Sequence, residues 1–307
     1  MRLLLCLALA ASLVSRAGTE SEDKKLDVFF RAHLEAVFKL RPVEATSLGE
    51  HRFDHQLDDL TPAARARWVE QTRSTQAQLP QRINRAHLSL AGQIDYDIFA
   101  HSLRYSLWQA EHFDPFVTDP RSYSQYISGS IFDLLAQSSL PPEVNLSNAI
   151  ARIRLVPGVL AAARQSVSNP PSAHLETAIK QHQGSLAFYE SGIYELAGRS
   201  RQLPQLRAAV AEILPALRDH QRFLEQELRT KAKGEWRLGR ELFAQKLELE
   251  LDAGLTADQV YADAQAEFAR VRNDMYVIAR QLWSRCYPRE PLPPEDDAGR
   301  RVTIARV

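Results

Sequence analysis

Apolar residues recur every three or four positions along most of this chain. The first such segment has its apolar positions at Leu26, Phe29, Phe30, Leu34, Val37 and Phe38. Charged residues fall between them, so the segment predicts a helix with one apolar face. Similar spacing continues through the chain, and no stretch alternates with period two. The pattern therefore predicts an all-α fold, a multi-helix array of long packed helices with roughly two thirds of its residues helical.

Capping residues and prolines predict where these helices begin and end. Thr61-Pro62 and Ser89 match helix starts, and Thr256 with Gln259 forms a capping box. Proline lacks a backbone N–H and its ring clashes with the preceding turn, so internal prolines should stop, interrupt or kink helices. The prolines expected to do so are Pro80, Pro157 and Pro215. The helices predicted on this basis cover about 42–48, 62–79, 89–113, 123–136, 146–167, 172–196 and 256–283, with another beginning at 204.

The first seventeen residues match a secretory signal peptide. Arg2 is followed by an apolar run from Leu3 to Val14, and small residues precede the expected cleavage after Ala17. The run is shorter than the roughly 20 residues that a spanning helix needs, although an uncleaved anchor helix is the alternative. We therefore expect an exported protein, periplasmic or extracellular, without stable membrane insertion after cleavage.

Composition and charge exclude some classes of protein. The 307 residues include 38 basic and 38 acidic side chains, and 45% are apolar. This balance offers no basic footprint for nucleic acid and supports an ordinary globular core. Cleavage would leave Cys286 as the one cysteine, so no internal disulfide is expected, and no histidine motif points to a catalytic thiol.

Two groups of side chains are candidates for binding. His51 and His55, with Asp58 and Asp59 nearby, have the i, i+4 relation of a metal site, but carboxylates of such a loop more commonly cap helices or pair with arginines. Aromatic residues concentrate near 105–132: Trp108, Phe116, Tyr123, Tyr126 and Phe132. They suit a core, and among them Tyr123 and Tyr126 also suit the wall of a substrate cleft.

A polar, proline-rich segment begins at Pro288 and is expected to be a connector. A new apolar pattern follows it, at Val302, Ile304 and Val307. Only about two helical turns remain, and a helix that short is marginal alone. The expectation is a helical region over 18–287, then a connector over 288–307 with the start of a truncated second half.

The block Leu40–Gly49, followed by Phe53-Asp54, Leu57–Leu60 and Thr61-Pro62, resembles the opening of a bacterial exported family, the domain of unknown function 885. Later matching segments are Ile94–Asp97, Arg154–Pro157, Ala178–Gln181 with Gly184, Gly239–Phe243 and Leu255–Asp258. The resemblance covers most of the chain after the signal peptide. It identifies the chain with the N-terminal half of that family's domain.

The resemblance also implies a chemistry. Full-length members resemble zincin metallopeptidases, with a His-Glu pair, a Pro-Gly-His segment and a downstream glutamate beyond the last residue here. Two histidines one helical turn apart can share a zinc ion while the glutamate acts on its bound water. Among the nine histidines of this chain only His51 and His55 are so spaced, and position 52 is arginine. We therefore assign no catalytic or metal-binding residue, and expect zinc and a peptide substrate only in a full-length member.

Three functional hypotheses follow. The first is the N-terminal helical portion of an exported zincin-like hydrolase, inactive as given. The second is a stand-alone periplasmic helical binding or scaffold protein. The third is a truncated pseudoenzyme that exposes apolar surface and tends to aggregate.

Overall fold

The computed structural model describes residues 22–307. Helices account for 80% of these residues and none of them forms a strand, so the all-α prediction is confirmed. The predicted signal peptide, residues 1–17 with cleavage after Ala17, lies outside the described residues. The described chain forms two compact units, one ending at Arg237 and the other covering Leu238–Val307.

The first unit consists of α1 (22–40), α2 (Pro42–Ser47), α3 (Pro62–Arg82), α4 (Leu90–His112), α5 (Pro115–Thr118), α6 (Arg121–Phe132), α7 (Pro142–Ser166), α8 (Ser172–Ala187), α9 (Ile193–Ala197) and α10 (Leu203–Arg222). Single 3₁₀ turns occupy His51–Phe53, Arg85–His87 and Arg229–Lys231, and π-helical turns at Asp133–Gln137, Phe188–Gly192 and Phe223–Leu228 extend α6, α8 and α10. The second unit consists of α11 (Gly239–Leu251), α12 (Ala257–Cys286) and α13 (Asp297–Arg306).

The predicted helix starts are confirmed. The Thr61 hydroxyl accepts a hydrogen bond from Ala64 N at 3.3 Å, and the Ser89 hydroxyl accepts one in the same way at the start of α4. Thr256 and Gln259 form both bonds of the capping box at the start of α12. Each cap satisfies an N–H group that the first turn leaves without a partner, which is why local sequence alone locates it.

The expectation that Pro157 interrupts a helix was wrong, and the expected stop at Pro80 was only partly right. Pro215 does not split α10, and a kink there stays a prediction. α3 continues for two residues beyond Pro80, and α7 and α10 pass through Pro157 and Pro215 without a break. Proline removes one hydrogen bond, but the apolar residues on both sides of it are buried: around Pro157 these include Ile153 and Leu160. Tertiary packing therefore holds these helices together, and the helical fraction exceeds the expected two thirds.

The main core of the first unit surrounds α7. Buried apolar side chains of α6, α8 and α10 pack around this helix in one continuous cluster, and a smaller cluster joins α1, α3 and α4. Among the described residues, α7 alone is long and apolar enough to pass a test for a membrane span, with a mean hydropathy of 1.2 in its most apolar window. More than half of that window is buried in the fold, which is the pattern of a core helix.

In the second unit, α13 packs alongside α12. Arg272 pairs with Asp297 near the beginning of α13, and the Arg306 guanidinium lies over the Trp283 ring near its end, so the two helices run in the same direction. The proline-rich segment from Pro288 connects the end of α12 to the start of α13, and it runs back along α12 to do so. The wider division at residues 287 and 288, between two halves of a family domain, stays a prediction.

Candidate functional site

A cavity of about 540 Å³ lies among α1 to α5. This volume is in the range of small-molecule sites in proteins. Most of its lining is apolar, and includes Leu34, Val37, Trp68, Leu103, Phe113 and Phe116. The cavity exists because α1, α3 and α4 form their own apolar cluster, and the neighbouring α2 and α5 close the space between it and the main core.

Two arginine–carboxylate pairs supply charge to this cavity. The half-exposed Arg41 lies 2.6 Å from the Glu44 carboxylate, and its guanidinium sits 5.3 Å from the Trp68 ring centroid. Arg65 is buried, and its Nε donates to the Asp114 carboxylate at 3.1 Å. The other Arg65 bonds go to a backbone carbonyl and a serine hydroxyl, so Arg65 fixes α3 in place. Arg41 remains the cation that can meet a ligand, and the cavity suits an apolar group carrying an anionic or polar end.

Beside the cavity, the block from Leu40 to Pro62 folds around Arg152, a fully buried arginine of α7. Arg152 Nη1 donates to the carbonyl oxygen of Ser130 in α6 at 2.8 Å, and its Nη2 donates to the Thr46 hydroxyl of α2. The Thr46 hydroxyl in turn donates to Asp54 Oδ1 at 2.7 Å, and His51 Nδ1 lies 2.8 Å from Asp54 Oδ2. We call these five residues the Arg152 clamp. Since it joins α2, the following turn, α6 and α7, its evident role is to hold the block against the core.

Burial and charge oppose each other in the clamp. Burial lowers the pKa of Arg152, and the nearby negative charge of Asp54 works against that shift. Asp54 has no exposed surface, so the cation and the carboxylate compensate each other inside the protein. A charge buried this deeply is tolerated only when it is paired and hydrogen-bonded.

Asp58 and Tyr126 form a second contact between the block and α6. Asp58 Oδ1 accepts a hydrogen bond from Val43 N at 3.0 Å, which caps the first turn of α2, and the Tyr126 hydroxyl accepts one from Asp58 N at 2.7 Å. Burial raises the pKa of Asp58, opposed by its bond to Val43. Burial is also the main cause that raises the pKa of Tyr126. Asp59 accepts from Thr61 N, so both acids cap chain turns, as loop carboxylates commonly do.

The two tyrosines proposed for a cleft wall lie in different surroundings. Tyr123 is completely buried in the main core, and its hydroxyl donates to the Phe116 carbonyl oxygen at 2.9 Å. Tyr126 is half-buried beside Asp58. Phe116 itself lines the cavity, so Tyr123 supports the wall from behind. A cleft-lining role for the pair stays a prediction.

The structure brings no metal-binding set together within residues 22–307, where no group of three histidine, cysteine, aspartate or glutamate side chains is placed to hold an ion. His51 has both ring nitrogens in contact with protein groups, Asp54 and the Ser139 hydroxyl. His55 is exposed, and its Nε2 lies 3.1 Å from the side-chain amide of Gln56. The i, i+4 spacing in the sequence therefore does not become a shared site, because residues 51–53 form a 3₁₀ turn.

A buried histidine pair between α8 and α10 was not foreseen. The ring centroids of His182 and His220 are 4.8 Å apart. His182 Nε2 donates to the Leu217 carbonyl oxygen at 2.9 Å, so its Nδ1 accepts from the Ser124 hydroxyl at 3.2 Å. His220 Nε2 is buried without a hydrogen-bond partner. Burial, then the neighbouring His182 and Arg164, lower the pKa of His220 to about 3.

The bond between Ser124 and His182 resembles half of a nucleophile–base pair. Ser124 is almost fully buried, and the second His182 nitrogen is held by a backbone carbonyl instead of a carboxylate. A serine buried this deeply and a histidine without a carboxylate partner do not form a nucleophile–base set, so we interpret the pair as a polar contact between α6 and α8.

The chain is similar to a known protein family and to a solved structure. A family model described as "Bacterial protein of unknown function (DUF885)" matches residues 42–292. Among solved structures, a "putative lipoprotein of unknown function" from Shewanella oneidensis is similar, with a TM-score of 0.72 and 25% sequence identity. The similarity covers 91% of this chain and 51% of the other, so this chain spans about half the length of the Shewanella protein. No curated protein matches the chain.

Proposed function

Because the chain belongs to the bacterial family of unknown function DUF885, we propose that it is the exported helical N-terminal portion of a zincin-like hydrolase that acts on peptides when complete. The observation that carries the proposal is the extent of the structural similarity. Nearly the whole chain corresponds to about half of a longer relative. Export is supported by the signal-like start of the sequence and by the description of the relative as a lipoprotein.

In this proposal the chain supplies one wall of the substrate cleft and supports the metal-binding half. The cavity among α1 to α5 supports such a role. Its apolar lining suits the side chain of a peptide, and Arg41 and Glu44 offer opposite charges for a peptide's terminal groups. The Arg152 clamp keeps α2, which carries Glu44, fixed against the core.

The residues described do not fit a zinc ion. We expect the chain freed of residues 1–17 to bind no stoichiometric zinc and to show no metal-dependent cleavage of peptides. Zinc content by mass spectrometry and turnover of a quenched fluorescent peptide, each before and after chelation, measure this. Stoichiometric zinc together with turnover would refute the proposal.

The alternative is a stand-alone periplasmic helical binding or scaffold protein, and the cavity is the observation that favours it. Reading the coding sequence downstream of codon 307 separates the two. An in-frame continuation with a His-Glu motif and a Pro-Gly-His segment supports the hydrolase portion, and an authentic stop codon supports the binding protein. Calorimetric titration with hydrophobic dipeptides, repeated with Arg41→Gln, then tests the cavity directly.

A further inference from the structure

Helix α12 carries a stripe of exposed apolar side chains. Its positions are Tyr261, Ala264, Phe268, Val271, Met275, Ile278 and Leu282, spaced alternately by three and four residues. We call this set the α12 stripe. All seven residues are exposed, and the large side chains range from 37% exposed at Leu282 to 66% at Phe268. This is the spacing that places side chains in the seam between two packed helices.

The neighbouring helix does not cover the stripe. α13 packs on a different face of α12, where Tyr276, Ala279 and Trp283 are buried. At 3.6 residues per turn the centres of the two faces lie about a quarter of a turn apart. A second helix can therefore lie along the stripe while α13 keeps its place.

Exposed side chains of this size in a continuous row are uncommon on a protein that functions alone. The row extends for about six turns of α12, at 3.6 residues per turn. A single exposed apolar residue off the stripe, such as Val277, is common on protein surfaces. Seven exposed apolar residues at heptad spacing are typical of a helix that packs against another helix. The geometry fits one long amphipathic helix as the partner.

Charged residues beside the stripe decide what kind of helix fits. On the margin away from α13 stand three acids, Asp263, Glu267 and Asp274, and two cations, Arg285 and Arg270, the second of which pairs with Glu267 and Asp274. This margin keeps a surplus of negative charge. A partner helix with lysine or arginine beside its own apolar row would complement it.

A second copy of this chain complements the margin poorly. In an antiparallel pair the acidic margin would face itself, and like charges across a helix seam are unfavourable. In a parallel pair Glu267 would need Arg272 of the other copy, but Arg272 already pairs with Asp297 beside α13. The occupant is therefore a different helix.

We propose that the α12 stripe is the docking surface for an amphipathic helix with a basic margin, contributed by the remaining half of a longer DUF885 polypeptide. This inference rests on the proposed function, in which the chain is the N-terminal portion of a larger protein. The whole stripe lies inside the family match over residues 42–292, and the Shewanella protein has about half its length outside the region of similarity. That half is long enough to supply the helix.

The test compares the same substitutions in two intact proteins. Phe268→Asp and Ile278→Asp place a charge on the stripe, and Val277→Asp places the same charge on an exposed position of α12 off the stripe. The corresponding substitutions are made in the full-length Shewanella protein. In the present chain all three variants should melt within about a degree of one another, since exposed changes have small effects. In the longer protein the two stripe variants should melt several degrees below the Val277 counterpart.

Each outcome decides the matter. Equal melting of stripe and control variants in the longer protein would overturn the proposal. A concentration-dependent dimer of the present chain in sedimentation, lost in Phe268→Asp, would overturn it in favour of a second copy. Zinc content and peptide turnover of the longer protein are measured on the same samples. If those are absent while the stripe variants are sensitive, the hydrolase proposal fails and the docking surface stands.

Discussion

Replacing Arg152 by methionine should remove a large part of the stability of the first unit. Methionine keeps much of the length of the side chain and loses the charge and both donor groups. The Asp54 carboxylate would stay completely buried with only His51 and the Thr46 hydroxyl beside it. The Ser130 carbonyl oxygen would also lose the bond it accepts at 2.8 Å.

The magnitude follows from the uncompensated charge. Removing one member of a directly paired buried ion pair costs about 3–5 kcal/mol, because the other charge stays in a medium of low dielectric. Arg152 and Asp54 are joined through the Thr46 hydroxyl instead of in direct contact, so that range is the upper limit for Arg152→Met. Domains of this kind have a total free energy of unfolding of roughly 5–15 kcal/mol, so the change is severe. Arg154 is a matched control on the same helix, half-exposed and 3.6 Å from Glu212. Its replacement by methionine should cost about 0–1 kcal/mol, since exposed pairs contribute little.

Urea unfolding followed by circular dichroism measures both variants, and the second unit contributes equally to each. Adding Asp54→Asn to Arg152→Met should restore part of the loss, because the stranded carboxylate is then neutral. If Arg152→Met cost no more than Arg154→Met, the clamp would not be the stabilising contact that the geometry indicates. Should Arg152→Met fail to fold, Asp54→Asn alone still tests the pair, and a neutral effect there would refute the argument.

Two further predictions concern the histidine pair and two glycines. The pKa of His220 is lowered to about 3 by burial and then by His182, whereas an unfolded histidine titrates near 6.5, so the unfolded chain binds protons first. The free energy of unfolding should be unaffected by this group above about pH 6.5 and fall as pH drops from there toward about 3. The free energy of urea unfolding should differ less between about pH 7 and about pH 5 for His220→Leu than for the unsubstituted chain, and an equal difference in the two proteins would contradict this. Gly234→Ala should lower the melting temperature, because the added Cβ would lie 2.3 Å from a backbone carbonyl oxygen. Gly184→Ala lies in open space within α8 and should raise the free energy of unfolding by about 0.5–1 kcal/mol. Calorimetry that ranked the two variants in the opposite order would contradict the described packing around these glycines.

Helix starts were predictable from the sequence because they depend on local chemistry. Thr61, Ser89 and Thr256 each needed only a side-chain oxygen and an N–H group three residues away. Effects of proline were not predictable in the same way. Whether Pro157 breaks α7 depends on how firmly the residues around it are buried, and burial is decided by segments distant in the sequence.

The candidate site was less predictable than the fold. Arginine usually indicates an exposed position, yet Arg152 falls on the apolar row of α7, between Ala149 and Val156. His182 falls on the buried face of α8 in the same way, between Ala178 and Ser185. A charged or polar residue at the helical spacing of neighbouring apolar residues was the one local signal in the sequence for these buried groups. The cavity left no such signal, because it is bounded by five helices that only the tertiary fold brings together.

The Arg152 clamp also limits how the polypeptide can be trimmed. Its members are up to 106 positions apart in the sequence, whereas most of the main apolar cluster lies beyond position 120. A shortened version beginning at Thr61 would retain nearly all of that cluster and would seem a sensible fragment to express. It would also leave the Arg152 guanidinium in an apolar interior without Thr46 and Asp54, so the early residues are as much a part of the α7 core as the side chains that surround it.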